Sequence, residues 1–418
     1  MRLQIKTMES VCDEFAHMIK SRFPLIKDHT VFSNHSLAIV DNMFRFIVMG
    51  GIKYSNSSIN YSKIQLVNND FPKSTGYDHI PVNIRKYLTG MNKVYSEVSF
   101  IIHSRKYKVH ILCEGDNINI TKQIRRKIKM MYIWLFVLSS ISNYECSREV
   151  DIYLYLTPLK KEFVNGDDIL GKVHINTAFT TSCQVNTDIT IYREEEWFKT
   201  FIHETFHSFG LDFSAYDNTN ISNKITMLFP DITDVKLYES YAEVFAELIN
   251  IMFIEYFYTK RNVSYVDMYS KIPKMLKTIP HLLDKQLTFS CFQCSKIFGH
   301  YNISYEDFYL NGGNAKYREH TPIFSYFVIK TLLLFHIDTC LIWCIRNNEY
   351  TLNFSRLAIG DTIENKMDRF YNDLVHSLYN SKSFVQVMSS INKFTKKIKI
   401  TRNNKRLMNS LRMTIDDP

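Results

Sequence analysis

Apolar side chains recur every three or four residues over long parts of the chain, which is the spacing of amphipathic and buried helices. The pattern predicts helices at residues 7–22, 35–49, 121–141, 193–209, 234–258, 265–283, 322–345 and 363–378. Residues 53–69 are rich in Ser and Asn and are predicted to form a loop.

Alternating apolar and polar side chains occupy the middle of the chain and are typical of strands with one buried face. Residues 94–113 alternate on both sides of a break at Ser104, Arg105 and Lys106, which predicts a β-hairpin. Further strands are predicted at residues 150–156, 173–180 and 187–192. Because a hairpin, a helix and strands precede a helical second half, the sequence predicts an α+β fold.

The length allows two or three domains or one large one, and the composition is that of an ordered protein. Of 418 residues, 45% are hydrophobic and 22% are charged, which excludes disorder as the main state. The order of elements divides the chain into a helical region (1–93), an α+β core (94–260) and a second helical region (261–418).

The formal net charge is +9, and basic residues are concentrated near the carboxyl end. They are Lys393, Lys396, Lys397, Lys399, Arg402, Lys405, Arg406 and Arg412. Two interpretations are open: a solvated basic tail, or a surface that contacts nucleic acid or another polyanion.

Two apolar stretches raise the question of a membrane span, and both are interpreted as buried helices. Residues 130–138 are too few to cross a bilayer. Residues 324–345 are enough, but Lys330, His336 and Asp338 lie within them. Since a charge at the centre of a span costs about 2.5–3.5 kcal/mol, the sequence predicts no membrane span.

The eight cysteines are scattered along the chain, and its first residues lack the apolar segment of a signal peptide. Reduced thiols and an intracellular location are therefore expected. The close pairs Cys291/Cys294 and Cys340/Cys344 are predicted to be buried thiols, because no second pair at a standard spacing completes a zinc site.

The segment with the clearest chemistry is WFKTFIHETFHSFGLDF, residues 197–213. Its motif HExxH contains His203, Glu204 and His207. On a helix, aromatic and aliphatic residues cover one side while the two histidines lie one turn apart on the other. Gly210 stands where a glycine commonly ends a helix.

Two imidazoles one turn apart can bind one zinc ion at about 2.0–2.1 Å, so the motif predicts a zinc site. Glu204 can take a proton from a water molecule at the metal and act as a general base. The alternative is a pair of surface histidines that bind no metal.

A catalytic zinc ion needs a third protein ligand. Asp212 is one candidate, but it lies one residue short of the third ligand in the pattern HExxHxxGxxH; it can instead accept a hydrogen bond from an imidazole. Glu239, Glu243 and Glu247 recur every four residues on one face of a strongly apolar helix. Because buried carboxylates without a cation are costly, one of these glutamates is the better candidate, the alternative being a solvated acidic stripe.

HExxH followed by this helix resembles the gluzincin zinc peptidases. Residues 243–247, EVFAE, are similar to the third-ligand helix of the lethal-factor type, and residues 239–243, ESYAE, fit one turn earlier. The resemblance covers about residues 95–255. It implies a zincin-like core, zinc-dependent hydrolysis of peptide bonds in a protein or peptide substrate, and Glu243 as the third ligand, with Glu239 as the alternative.

The resemblance also implies that residues 173–180, VHINTAFT, form an edge strand to which an extended substrate adds. Such peptidases stabilise the oxyanion with a Tyr or His, and the sequence does not choose among Tyr238, Tyr241, Tyr317 and His320. The composition and residues 193–213 are also similar to uncharacterised giant-virus proteins, which implies a host-cell or virion location. Two other functions stay open: a virion or scaffold protein without turnover, and a nucleic-acid-associated protein.

Overall fold

The computed structural model describes residues 11–20, 26–62, 64–67, 69–90, 93–114, 117–163, 169–230, 232, 235–310 and 317–418. These residues form an α+β structure with one mixed β-sheet, as predicted. The helices are α1 (Val11–Lys20), α2 (Asn34–Ser55), α3 (Val82–Thr89), α4 (Asn117–Ile141), α5 (Lys172–Ile175), α6 (Trp197–Ser208), α7 (Thr219–Leu228), α8 (Leu237–Lys260), α9 (Met268–His300), α10 (Tyr305–Leu310), α11 (Lys330–Phe335), α12 (Ile337–Asn347), α13 (Ile363–Phe370), α14 (Lys382–Thr395) and α15 (Lys405–Asn409). A 3₁₀ turn lies at Tyr77–His79, and π-helical turns lie at Phe324–Ile329 and Tyr371–His376.

Seven strands of the described chain form the sheet. They are β1 (Asn60–Tyr61), β2 (Gln65–Val67), β3 (Lys93–Ile102), β4 (Arg105–Cys113), β5 (Glu149–Thr157), β6 (Ala178–Thr180) and β7 (Asn186–Arg193). Their order across the sheet is β1-β3-β4-β5-β7-β6, and β2 also pairs with β3. Strands β4, β5 and β7 are parallel, whereas the edge strand β6 is antiparallel to β7.

The predicted hairpin is confirmed as β3 and β4. His103 and Ser104 form its two-residue turn with φ angles of 46° and 69°, and Arg105 already belongs to β4. The alternating apolar side chains face the core as predicted, and the Phe100 ring packs 5.4 Å from that of Tyr132 in α4. This packing explains why the alternation was a reliable signal.

The predicted strand at residues 173–180 is wrong in its first half, which contains α5, so that only β6 is extended. The backbone N–H of Gly171 donates to Nδ1 of His174 at 2.9 Å, and the Arg193 guanidinium donates to the carbonyl oxygens of Val173 and Asn176. These contacts stabilise a helical turn where the sequence pattern indicated a strand.

The predicted loop at residues 53–69 is also partly regular. Helix α2 continues to Ser55, and β1 and β2 pair with β3; residues 63 and 68 lie outside the described part. Residues 7–10 and 21–22 of the first predicted helix lie outside it as well, and α1 occupies the rest.

The helix predicted at residues 322–345 is broken at His336, where the chain bends by 87°. The His336 imidazole lies 3.1 Å from the Ser381 hydroxyl, so a tertiary contact stabilises the break. Among the described helices, none alone is long and apolar enough to cross a membrane; the bent pair Phe324–Phe335 and Ile337–Asn347 meets that criterion by length and composition only. Most residues of this pair are buried, as the sequence predicted.

One hydrophobic core extends from Phe15 in α1 to Ile415 near the carboxyl end, and it includes side chains from all three predicted regions. A smaller cluster contains Phe71, Tyr77, Ile80, Ile84, Leu88, Leu112, Tyr155 and Tyr192. The division into three domains therefore stays a prediction.

The expectation of reduced thiols is wrong for one pair: Cys146 and Cys183 form a disulfide, with their Cα atoms 4.7 Å apart. The two residues are 37 positions apart, and only the fold brings them together. The pairs Cys291/Cys294 and Cys340/Cys344 are buried free thiols, as predicted.

Candidate metal centre

Helix α6, which carries the HExxH motif, is buried along its whole length. Its aromatic side packs on α8, where the ring of Phe198 lies 4.9 Å from that of Phe253 and Phe206 stacks on Phe245. On another side, Trp134 of α4 donates to the Thr205 hydroxyl at 2.8 Å. This packing on two sides fixes the direction in which the histidines point.

The predicted helix end at Gly210 is confirmed. Gly210 has φ +65°, its N–H donates to the His207 carbonyl at 3.1 Å, and the N–H of Leu211 donates to the Phe206 carbonyl at 2.8 Å. This pair of bonds is a Schellman motif. A Cβ on Gly210 would also lie 3.0 Å from Sγ of Cys146, so the position requires glycine for two reasons.

His203, His207 and Glu239 form a group that can hold a metal ion. The two Nε2 atoms are 3.1 Å apart, and Oε2 of Glu239 lies 3.1 Å from Nε2 of His203 and 3.2 Å from Nε2 of His207. Two imidazole nitrogens and one carboxylate oxygen therefore converge on one point. Glu239 stands in the first turn of α8, next to the motif helix.

The opposite ring nitrogen of each histidine faces another carboxylate. Nδ1 of His207 contacts Asp212, which also accepts hydrogen bonds from Ser214, and Nδ1 of His203 lies 2.9 Å from Oε2 of Glu243. The Asp212 contact is a hydrogen bond, while the Glu243 contact is close but not well directed. Carboxylates in these positions orient the imidazoles so that Nε2 can face a metal.

The carboxylate of Glu243, the preferred third ligand in the sequence analysis, lies behind His203 and not in the converging group. The structure places the alternative, Glu239, in the group instead. Asp212 has the orienting position that was its second interpretation. Glu247 lies further along α8 and pairs with Lys330 at 2.6 Å, and burial raises the pKa of Glu247 to about 7.

Lys199 is the residue that the sequence analysis missed. It lies one turn before His203, is only 2% exposed, and forms an ion pair with Oε1 of Glu243. Glu243 therefore bridges a buried lysine and an imidazole. The sequence contained the information needed to find this residue, since Lys199, His203 and His207 share one face of α6. A lysine on that face can be expected to pair with one of the glutamates of α8.

The electrostatics of the group favour a bound cation. Burial alone would lower the pKa of His203, but its contacts with Glu239 and Glu243 raise that pKa to about 9. The pKa of His207 is raised as well, because the effects of Asp212 and Glu239 outweigh burial. A metal ion bound between these carboxylates would supply the positive charge that they favour.

Glu204 lies beside the converging group and not in it. It is 7% exposed, and burial raises its pKa. Within the described part of the chain, its carboxylate receives no hydrogen bond. It lines a cleft of about 340 Å³, including the open mouth, together with Lys161, Ile175, Asn176, Thr177, Ala178, Lys199, Thr200, His203, Glu243, Tyr326 and Met413.

Tyr326 is a second residue that the sequence did not single out. Its ring centroid lies 6.0 Å from that of His203, and it lines the cleft. Among the four earlier candidates, the Tyr238 ring packs 5.8 Å from that of His207, whereas the hydroxyls of Tyr241 and Tyr317 donate to Leu352 and Glu319. His320 is not among the residues that line the cleft.

No known protein family matches this chain, and neither does any curated protein or any solved structure. The gluzincin resemblance therefore stays a prediction that rests on the motif. A functional proposal has to rest on the geometry of the site.

Proposed function

We propose that this protein is a zinc-dependent hydrolase of peptide bonds. The observation that carries the proposal is the convergence of His203, His207 and Glu239 beside a fourth side chain, Glu204, which lines an open cleft. Three protein ligands and a neighbouring carboxylate that can act as a base are sufficient for metal-assisted hydrolysis.

The donor set fits zinc. Two imidazole nitrogens and one carboxylate oxygen are the protein ligands of one class of catalytic zinc site, and three protein ligands leave a position open. When bound, zinc would supply Lewis-acid chemistry that makes water nucleophilic at neutral pH. Asp212 and Glu243 would keep the imidazoles in the orientation that binding requires.

Glu204 is the general base in this proposal. Its carboxylate is buried and has no competing hydrogen bond to the described protein, so it is available to a water molecule in the cleft. A raised pKa brings the carboxyl closer to the range where it can both accept a proton and return it to the leaving amine.

The substrate would lie along β6. This strand ends the sheet, and residues 175–178 immediately before and within it line the cleft. An edge strand offers unpaired backbone groups, so an extended peptide can add to it by main-chain hydrogen bonds. The scissile bond of such a peptide would pass in front of Glu204.

The direct test is metal analysis combined with cleavage of a peptide library. We expect about one zinc ion per chain, cleavage that stops when a chelator removes the metal, and recovery when zinc is returned. Mg²⁺ in place of zinc is the control, because it prefers oxygen ligands. A metal-free protein, or cleavage that is insensitive to the chelator, would contradict the proposal.

Tyr326→Phe is expected to lower kcat by about 10- to 100-fold with a smaller change in KM. The Tyr326 hydroxyl is the proposed donor to the negative charge that develops on the substrate oxygen, and loss of such a donor acts mainly on the transition state. Tyr238→Phe is the matched control, since that ring packs against the other histidine. If steady-state assays show the same decrease in kcat for both variants, Tyr326 is not the donor to the substrate oxygen.

A further inference from the structure

The net positive charge of the chain has a single source. Residues 382–412 contain nine Lys and Arg residues and no Asp or Glu. The remaining 42 Lys and Arg residues are matched by 42 Asp and Glu residues, so the rest of the chain is formally neutral. An excess that is confined to one segment points to a specific surface rather than to a general bias.

This segment is folded onto the core. Phe384, Met388 and Ile391 of α14 are buried, and Asn392 contacts Ser295 of α9 at 3.2 Å. Between residues 393 and 405, all six basic side chains are exposed. They are Lys393, Lys396, Lys397, Lys399, Arg402 and Lys405.

None of these six side chains lies within 4.0 Å of a carboxylate oxygen in the part of the chain that the structure describes. Several buried lysines do pair with carboxylates, as Lys199 and Lys330 illustrate. The segment therefore presents a row of positive charges to solvent that no carboxylate of the described chain pairs with.

A groove of about 400 Å³ lies in this surface between α1 and the end of α14 with the residues that follow it. It is lined by Glu14, His17, Met18, Phe394, Ile398, Thr401, Asn403 and Asn404. Its volume is in the range of small-molecule sites. The lining thus combines apolar walls, amide groups and one carboxylate, Glu14, which accepts a hydrogen bond from the backbone N–H of Leu407. The basic residues are the sequence neighbours of the lining residues 394–404.

We propose that this groove binds single-stranded nucleic acid. The exposed lysines and Arg402 would contact successive phosphates, while a base would lie against Phe394 and Ile398. Asn403 is exposed, and its side chain has no hydrogen-bond partner among the described residues, so it can bond to a base edge. The Asn404 amide is already used by Thr401 and Lys399 and shapes the groove.

The groove favours nucleic acid over an anionic membrane or an acidic peptide. A membrane surface would leave a concave site empty, and between residues 393 and 406 only Ile400 is a large apolar side chain exposed to solvent, at 63%. An acidic peptide could form ion pairs with the lysines, but its carboxylates would not use the aromatic ring of Phe394 that lines the groove. Alternating phosphates and bases use both features.

The test is fluorescence anisotropy of a labelled single-stranded oligonucleotide of about 12 nucleotides, titrated with the full chain between about 50 and 200 mM salt. One variant combines the substitutions Lys393→Gln, Lys397→Gln, Arg402→Gln and Lys405→Gln. It is expected to bind the oligonucleotide at least about tenfold more weakly than the wild type does. Its slope of log Kd against log salt should fall by about 2 to 3, since each phosphate contact on a single strand contributes about 0.7.

The control carries the substitutions Lys53→Gln, Lys86→Gln, Lys274→Gln and Lys277→Gln, which remove the same charge from exposed positions elsewhere. It should bind like the wild type. Phe394→Leu, which keeps an apolar wall without the ring, is expected to weaken binding several-fold with an unchanged salt slope.

Four outcomes would overturn the proposal. They are no binding by the wild type at about 50 mM salt, equal weakening in both quadruple variants, tighter binding to anionic vesicles or polyglutamate than to the oligonucleotide, and wild-type affinity in the Phe394→Leu variant. Because the assay needs no peptide cleavage, its result is independent of the proposed hydrolase activity.

Discussion

Glu204→Gln is expected to lower peptide hydrolysis by about 10²- to 10⁴-fold while the protein keeps its metal. Glutamine has the size and the hydrogen-bonding groups of glutamate, but it cannot accept a proton as a base. Glu204 lies outside the group of donor atoms formed by His203, His207 and Glu239, so zinc occupancy should hardly change. The measurement compares cleavage rates of the two proteins at equal zinc content.

Glu149→Gln is a suitable control, because this glutamate is exposed on β5 and its one ion pair within the described ranges is with Lys106. It should leave the cleavage rate unchanged. Equal rates for wild type and Glu204→Gln would show that Glu204 is not the base. If neither protein cleaves any peptide while both hold zinc, a scaffold protein that kept its metal site becomes the better explanation.

The local features of the site were predictable because they depend on short-range geometry. HExxH places two histidines one turn apart on any helix, and the aromatic residues around it indicated which side of α6 is buried. Gly210 marked the end of the helix, and its positive φ confirms the reason. The hairpin and the strands at residues 150–156 and 187–192 followed from alternation in the same way, although alternation did not indicate their parallel pairing.

The choice between Glu239 and Glu243 was not predictable from spacing alone. Both lie on the same face of α8, and their position relative to the motif helix depends on how the two helices pack. In the folded protein Lys199 pairs with Glu243, and Glu239, one turn nearer the amino end of α8, contacts the histidines. Including the lysine in the helical-face analysis would have favoured Glu239.

Contacts between distant parts of the chain explain the other differences. The Cys146–Cys183 disulfide, the bend at His336 and the position of Tyr326 in the cleft all depend on tertiary packing across more than 30 residues of sequence. No periodicity within one segment contains that information. Tyr326 was one of 26 tyrosines, and only its distance from His203 distinguishes it.

Glu239→Ala is expected to weaken zinc binding by more than about 100-fold, which exceeds the effect of losing an orienting carboxylate. Substitution of groups that only orient a ligand typically costs about 10- to 100-fold, and this is the range expected for Asp212→Asn. Glu239 has an oxygen at the point where both Nε2 atoms converge, so its removal takes away a donor atom. Competition with a chromogenic chelator would give both affinities.

Glu243 needs a different comparison, because its removal would leave Lys199 buried without a partner. Breaking a buried ion pair costs about 3–5 kcal/mol, which would confuse lost metal with lost structure. The double variant Lys199→Met, Glu243→Gln removes both charges together, and its thermal unfolding shows whether the fold is intact. We expect it to bind zinc within about 100-fold of the wild type. If this variant loses zinc completely while Glu239→Ala keeps it, Glu243 is the third ligand and the position of its carboxylate behind His203 does not persist once metal is bound.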